Sequence, residues 1–193
     1  MENLFADMET YSWIDLKLGT STGPKHKFLK NPERYAVMSK ATTYGEYGFV
    51  LFEYHIKNNL TKEKVLDGGK DWLVNNKRDY SKSLTFEQTV KYIKMFFVKY
   101  TEDSEHINLD AVKYSLAEVM KMIDFFENYN TLEYRCTSIF IILDHSQEKY
   151  VVKLIDISYY NPLDEGLERD ENVLLGLRNI RKILQSIIDE NSE

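Results

Sequence analysis

Leu109, Val112, Leu116, Val119, Ile123 and Phe126 recur at 3-4-3-4-3 spacing. That spacing puts them on one stripe of a helix that begins near Asn108. A second stripe, Val173, Leu177, Ile180, Leu184 and Ile187, closes the chain. A third, Phe86, Val90, Ile93 and Phe97, follows Thr85-x-x-Gln88, a capping-box pattern in which the two residues satisfy each other's backbone N–H. Around these helices lie apolar runs of strand composition: residues 12–18 ending at Gly19, Phe49–Ile56 after a Gly45/Gly48 turn, Thr137–Leu143 and Tyr150–Ile157. The last two flank Asp144-His-Ser-Gln-Glu148 and read as a hairpin. Asn31-Pro32-Glu33 marks a further helix start, running to about Lys40. Thr20–Lys30 reads as a polar connection, Asp67-Gly68-Gly69 as a turn, Trp72–Asn75 as a short strand and 158–170 as a loop. Strands and helices mixed in this order predict an α+β fold of antiparallel strands with packed helices, one domain over residues 1–193.

The bulk properties exclude more than they assign. At 193 residues, 43% apolar and 29% charged, the chain is large enough to bury a core. No apolar run approaches the roughly 20 residues that span a bilayer. The start, Met-Glu-Asn-Leu-Phe-Ala-Asp, lacks the basic and apolar regions of a secretory signal. A single cysteine, Cys136, suits a reducing compartment, so the expected location is cytoplasm or nucleus. Net charge of -6 argues against nucleic-acid binding. Lys outnumbers Arg, and Asn, Ile and Tyr are plentiful. That usage fits an AT-rich genome such as a protist's or a large DNA virus's, and a viral protein would work inside its host cell. His26, His55, His106 and His145 show no metal-ligand spacing with Cys136. Neither a Gly-rich phosphate loop nor a nucleophile elbow occurs.

Two islands carry candidate chemistry. Asp15 and Lys17 stand at i and i+2 in an apolar strand, so both point to one face. Charges there are costly unless paired or functional. Spacing alone favours the plainer alternative, an ion pair at a strand edge. Asp156 ends the apolar run Val151–Ile155. A metal-binding acid of a phosphotransferase would sit there, and so would an Asp that merely caps a loop.

Taken together, the motifs resemble the inositol polyphosphate kinase family. Its Pro-x-x-x-Asp-x-Lys-x-Gly motif is matched by Asp15, Lys17 and Gly19, and its Gly-Phe strand by Gly48-Phe49. Asp79-Tyr-Ser-Lys82-Ser-Leu84 stands for its Tyr-Gly-Arg-x-Leu turn, and Thr137-Ser138-Ile139-Phe140 for its Ser-Ser-Leu-Leu strand. Ile155-Asp156-Ile157 stands for Ile-Asp-Phe, and Glu171 to Ile180 for its acidic helix start with Gly176-Leu177. The order and approximate spacing agree along the whole chain.

The resemblance implies ATP-dependent phosphoryl transfer to an inositol phosphate, with Mg²⁺ as cofactor. By it, Asp15 would hold the ATP ribose. Lys17 would bridge the transferred phosphoryl group and the inositol phosphate, and Asp156 would hold Mg²⁺. Lys40, Arg34 and Lys30, with Lys27 and Lys25, would face the polyanionic substrate; a solvated basic helix face is the alternative for that cluster. Glu2-Asn3-Leu4 resembles the hinge whose backbone meets adenine, which makes Glu2 and Leu4 nucleotide contacts.

Three positions depart from the family pattern. Tyr11 replaces its proline, Ser21 or Thr22 its basic residue, and Ser158-Tyr159 its small-then-basic pair. The family's N-terminal lobe should precede the hinge, where this chain starts, so the expectation is a chain without that lobe. Two functions follow from the resemblance. One is an inositol phosphate kinase. The other is a catalytically deficient pseudokinase that grips inositol phosphates. A protein partner, or a second copy, covering the face near Phe5, Met8 and Trp13 is a third reading.

Overall fold

The computed structural model describes residues 3–20, 25–69, 73–74, 77–78 and 83–192, with side chains at all of these except 26, 28, 73, 74, 77 and 78. In chain order the first elements are β1 (Tyr11–Leu18), α1 (Lys25–Lys30), α2 (Pro32–Ala41), α3 (Tyr44–Tyr47), β2 (Phe49–Lys57) and β3 (Lys64–Gly69). Next come β4 (Leu73–Val74), β5 (Lys77–Arg78), α4 (Phe86–Phe96), β6 (Val98–Tyr100), β7 (Glu105–Ile107) and α5 (Leu109–Asn128). The chain finishes with β8 (Leu132–Arg135), β9 (Ser138–Asp144), β10 (Lys149–Ile155), β11 (Tyr159–Pro162) and α6 (Glu171–Glu190).

The centre is an antiparallel sheet in the order β10-β9-β1-β2-β3. Alternation along β1 sends Ile14, Leu16 and Leu18 to one face, where each is at most 1% exposed. The apolar stripes of α4, α5 and α6 pack there, placing Ile93, Val112, Val119, Ile180 and Leu184 in the same cluster. The starts of these three helices are capped. Thr85 and Gln88 form the reciprocal capping box of α4. Asn108 Oδ1 accepts from Ala111 N–H at 3.1 Å, and Asp170 Oδ1 from Val173 N–H at 3.2 Å.

The opposite face carries Trp13, Asp15 and Lys17. At one end α2 and α3 cover it, burying Tyr35, Met38 and Tyr44 against Val50 of β2. Between Asp15 and Leu16 the β1–β2 register slips, because Asp15 opposes Glu53 while Leu16 opposes Leu51. Phe52 is the extra residue of this bulge, and such bulges re-aim side chains.

The structure departs from the sequence expectation where segments lack a periodic signal. The stretch Thr20–Lys30 contains α1, and the loop 158–170 contains β11, which pairs with β8 at the sheet's periphery. Asp67-Gly68-Gly69 is not a turn but the end of β3, and the chain reverses earlier, where Asn58 Oδ1 accepts from Leu60 and Thr61 N–H. The glycine has a packing cause: a Cβ at Gly68 would meet the Tyr54 hydroxyl at 2.5 Å. β4 lies inside the expected strand Trp72–Asn75, but Trp72 and Asn75 themselves fall outside the described residues, as do Ser21, Thr22 and Asp79 to Lys82. Among the described residues no helix is long and apolar enough to cross a membrane.

Candidate functional site

Lys17 gathers the site. Its Nζ donates to Asp156 Oδ2 at 2.9 Å, to Ser138 Oγ at 3.1 Å and to the Cys136 carbonyl at 3.4 Å, and lies 4.8 Å from the centre of the Phe52 ring. Strand register creates this convergence. Lys17 opposes Ser138, which opposes Ile155 on its other side, so β1, β9 and β10 meet on one line. Leu18 N–H donates to Thr137 O at 2.9 Å and Thr137 Oγ1 to Ile155 O at 2.8 Å, which pins the start of β9 between its neighbours. The flanking residues Cys136 and Asp156 have φ of 63° and 59°, in the left-handed region. There the chain turns sharply and brings the Cys136 carbonyl and the Asp156 carboxylate back to Lys17. Non-glycine residues in this conformation are uncommon and cluster at functional sites.

Asp15 sits two residues away on the same face and is 7% exposed. Its Oδ1 is buried and has no hydrogen-bond partner among the described residues. Burial pushes its carboxyl above the ordinary range. The Lys17 ammonium and the Ser138 hydroxyl pull it down, and the Asp156 and Glu53 carboxylates push it further up. Beyond Asp15 the face becomes aromatic: the Phe140 ring centre lies 5.5 Å from that of Trp13 and 6.1 Å from that of Phe5. Leu4 and Met8 line a groove of about 680 Å³ together with Val151 and Lys153. The segment carrying them is tied to the sheet through Asp144, whose Oδ2 accepts from Glu9 N–H at 2.8 Å and Thr10 N–H at 3.1 Å.

The structure thus brings Asp15, Lys17 and Asp156 together, while the basic residues expected to face the substrate lie on α1 and α2. Lys25 is engaged by Asp164 at 2.6 Å and Glu133 at 3.6 Å. Lys27, Lys30, Arg34 and Lys40 stand exposed and have no ion-pair partner among the described residues. Lys40 lines a shallow depression with Thr43, Glu46 and Glu87. Glu2 lies outside the described residues. Past Gly19 and Thr20 opens a cavity of about 490 Å³ walled by Tyr35, Ser39, Glu133 and Arg135. Arg135 Nη2 and Nε donate to Glu133 Oε1 at 2.6 and 3.0 Å. Sequence reasoning missed this pair and gave Ser138 no role. Glu133 and Arg135 alternate with Leu132 and Tyr134 in a strand of only four residues, too short a signal to stand out, and Ser138 meets Lys17 only through the pairing of distant strands.

Among the described residues no group of three His, Cys, Asp or Glu side chains could hold a metal by itself. Asp156, with a side chain 56% exposed, and the unpaired Asp15 oxygen suit instead a hard cation that keeps few protein ligands.

Comparison with known proteins gives a consistent result. The family model described as inositol polyphosphate kinase matches residues 1–185. The inositol polyphosphate multikinase of Schizosaccharomyces pombe is 25% identical over 188 residues, covering 93% of this chain and 65% of that protein. The chain therefore spans just under two thirds of that relative. A solved inositol phosphate multikinase superposes with a TM-score of 0.76 at 19% identity, over 96% of this chain and 84% of that one. The S. cerevisiae inositol phosphate multikinase, solved with ADP and Mn²⁺, gives 0.70 at 17% identity, over 97% of this chain and 82% of that one. These solved chains share the α+β architecture and antiparallel sheet described above.

Proposed function

The chain belongs to the inositol polyphosphate kinase family, and from that premise we propose that it transfers the γ-phosphoryl group of ATP to a hydroxyl of an inositol phosphate. The observation that carries this reading is the meeting of Lys17, Asp156 and Asp15 on the sheet face opposite the core. A purely structural sheet gains nothing from burying a carboxylate beside a second one. In phosphoryl transfer, positioning and charge neutralisation supply most of the catalysis. Lys17 would contribute a fixed positive charge between donor and acceptor phosphates. Asp15, already desolvated, would accept hydrogen bonds from the ribose hydroxyls. The aromatic surface of Trp13 and Phe140, with Leu4 at its margin, offers an apolar bed for a nucleotide base.

Asp156 would hold Mg²⁺, with Asp15 close enough to raise the local negative charge. A cation bound there would neutralise charge on the nucleotide phosphates. The inositol ring would lie on the Gly19 side of Lys17, toward Arg135, with Lys30, Arg34 and Lys40 contributing a diffuse positive field.

A second reading, a protein that grips inositol phosphates without turnover, is favoured by the direct Lys17–Asp156 ion pair, which occupies both groups. One experiment separates the two readings. Purified chain is supplied with labelled Mg²⁺-ATP and an inositol phosphate, and Asp156→Asn is assayed beside the wild type. Transfer that disappears in the variant, with its melting temperature kept, supports the kinase. Full activity in the variant overturns the role of Asp156, and binding of inositol phosphate without transfer in the wild type supports the second reading.

A further inference from the structure

The geometry points to Lys17 and Asp156 forming a lock, in which metal at Asp156 and phosphate at Lys17 each release the partner the other needs. This rests on the assignment of Asp156 to the metal and Lys17 to phosphate. An ammonium has three hydrogens. All three are spoken for, by Asp156 Oδ2 at 2.9 Å, Ser138 Oγ at 3.1 Å and Cys136 O at 3.4 Å. The Phe52 ring fills another side of the group and offers no lone pair. A phosphate oxygen therefore meets Lys17 only after one of these bonds opens.

The partners differ in how readily they leave. Ser138 is held opposite Lys17 by the β1–β9 register, and the Cys136 carbonyl belongs to the backbone of a tight turn. Asp156 is a side chain beyond the end of β10, more than half exposed, while Lys17 is nearly buried at 12%. It is also the charged acceptor of the three, so it holds Lys17 most strongly and attracts a cation in its own right. A divalent cation on the Asp156 carboxylate repels the ammonium beside it. Lys17 then loses its strongest partner while Ser138 and Cys136 keep it in place, with one hydrogen directed outward. Conversely, a polyanion that draws Lys17 away uncovers Asp156. Such coupling is reciprocal by linkage and is typically about fivefold or more in affinity.

The test uses two probes separately, so that a polyanion never chelates the metal. Inositol hexakisphosphate is titrated calorimetrically, in the presence of EDTA, into wild type, Asp156→Asn, Lys17→Met and the double variant. Mn²⁺ alone is titrated into the same proteins and followed by electron paramagnetic resonance. Asparagine suits the left-handed backbone at 156, and methionine keeps the apolar stem over Phe52. Melting curves verify that each variant is folded.

The lock predicts that Asp156→Asn binds the polyanion about fivefold tighter than wild type, and that this gain vanishes in the Lys17→Met background. It also predicts tighter Mn²⁺ binding by Lys17→Met. A gain that persists without Lys17 would mean Asp156 acts as a general negative charge, and the lock falls. Unchanged affinities in both single variants, with wild type binding both probes, overturn the lock and leave the kinase reading standing. If wild type binds neither probe, the lock falls, and the transfer assay with Mg²⁺-ATP alone decides the kinase reading.

Discussion

Asp15 concentrates the conflict between stability and chemistry in one side chain. Burial is the largest influence on it and disfavours the charged form, and the Glu53 and Asp156 carboxylates add to that; Lys17 offsets part. Its folded-state pKa lies above the unfolded value, so the folded protein holds this proton more tightly than the unfolded chain does. The cost of ionising it is absent below the ordinary carboxylate range and complete at neutral pH. Asp15→Asn, similar in volume and uncharged, is therefore expected to raise stability at about pH 7 by on the order of 1 kcal/mol. The gain should shrink toward zero in acid. Thermal melts of both proteins across pH check this, and a loss of stability at neutral pH would show that the Lys17 attraction outweighs burial. Under the kinase reading the same variant loses nucleotide affinity, a trade-off common at functional sites.

At the scale of elements, two motif glycines prove to be a single packing device. Gly48 has φ of +69° and caps α3, and its carbonyl accepts from Gly19 N–H at 2.8 Å. A Cβ built on Gly176 would overlap that same carbonyl, and one built on Gly48 would meet Gly176 N at 2.6 Å. α6 thus rests directly on the backbone joining α3 to β2. Leu18 adds a third side to the contact. Gly176→Ala must push α6 away from the sheet, and we expect a loss of about 2–3 kcal/mol, measurable by urea denaturation. A loss comparable to an exposed helix substitution would refute the contact. The resemblance to the kinase family at Gly48 and Gly176 therefore reports helix–sheet packing, whereas that at Asp15, Lys17 and Asp156 is what the proposed chemistry would require.

For the whole molecule, the β9–β10 hairpin is where separate parts are joined. Asp144 Oδ1 accepts from Ser146 and Gln147 N–H, closing the turn, while Oδ2 holds the N-terminal segment. The adjacent His145 is 2% exposed. Its Nδ1 faces Asn108 Nδ2 at 3.1 Å, and its Nε2 lies 3.4 Å from Phe96 O, linking α4 and α5. Burial lowers its pKa to about 4; the Phe96 carbonyl and Asp144 oppose this, and Lys99 and His106 reinforce it. The folded state therefore binds fewer protons than the unfolded chain between the ordinary histidine value and about 4. Stability is full above that window and falls as pH drops through it, by on the order of 3 kcal/mol in total. His145→Gln, which keeps a polar partner for Asn108, should flatten this dependence. Stability curves between neutral and mildly acidic pH decide the matter.

How much of this was written in the sequence depends on the range of the interaction. α4, α5 and α6 follow from apolar spacing and caps, and β2, β9 and β10 from runs rich in apolar and β-forming residues, because each signal is carried by neighbours in the chain. α1 and β11 carry no such signal, and the alternation of Leu132 and Tyr134 in β8 is only four residues long. Tyr159–Pro162 becomes a strand only because Leu132–Arg135 lies beside it. The site divides in the same way. Alternation along β1 already places Asp15 and Lys17 on one face, whatever the strand pairs with. That Lys17 meets Ser138 and Asp156, from 121 and 139 residues away, was decided by the tertiary structure. Side-chain periodicity is local to a segment, whereas register is set by three strands closing together around a shared core.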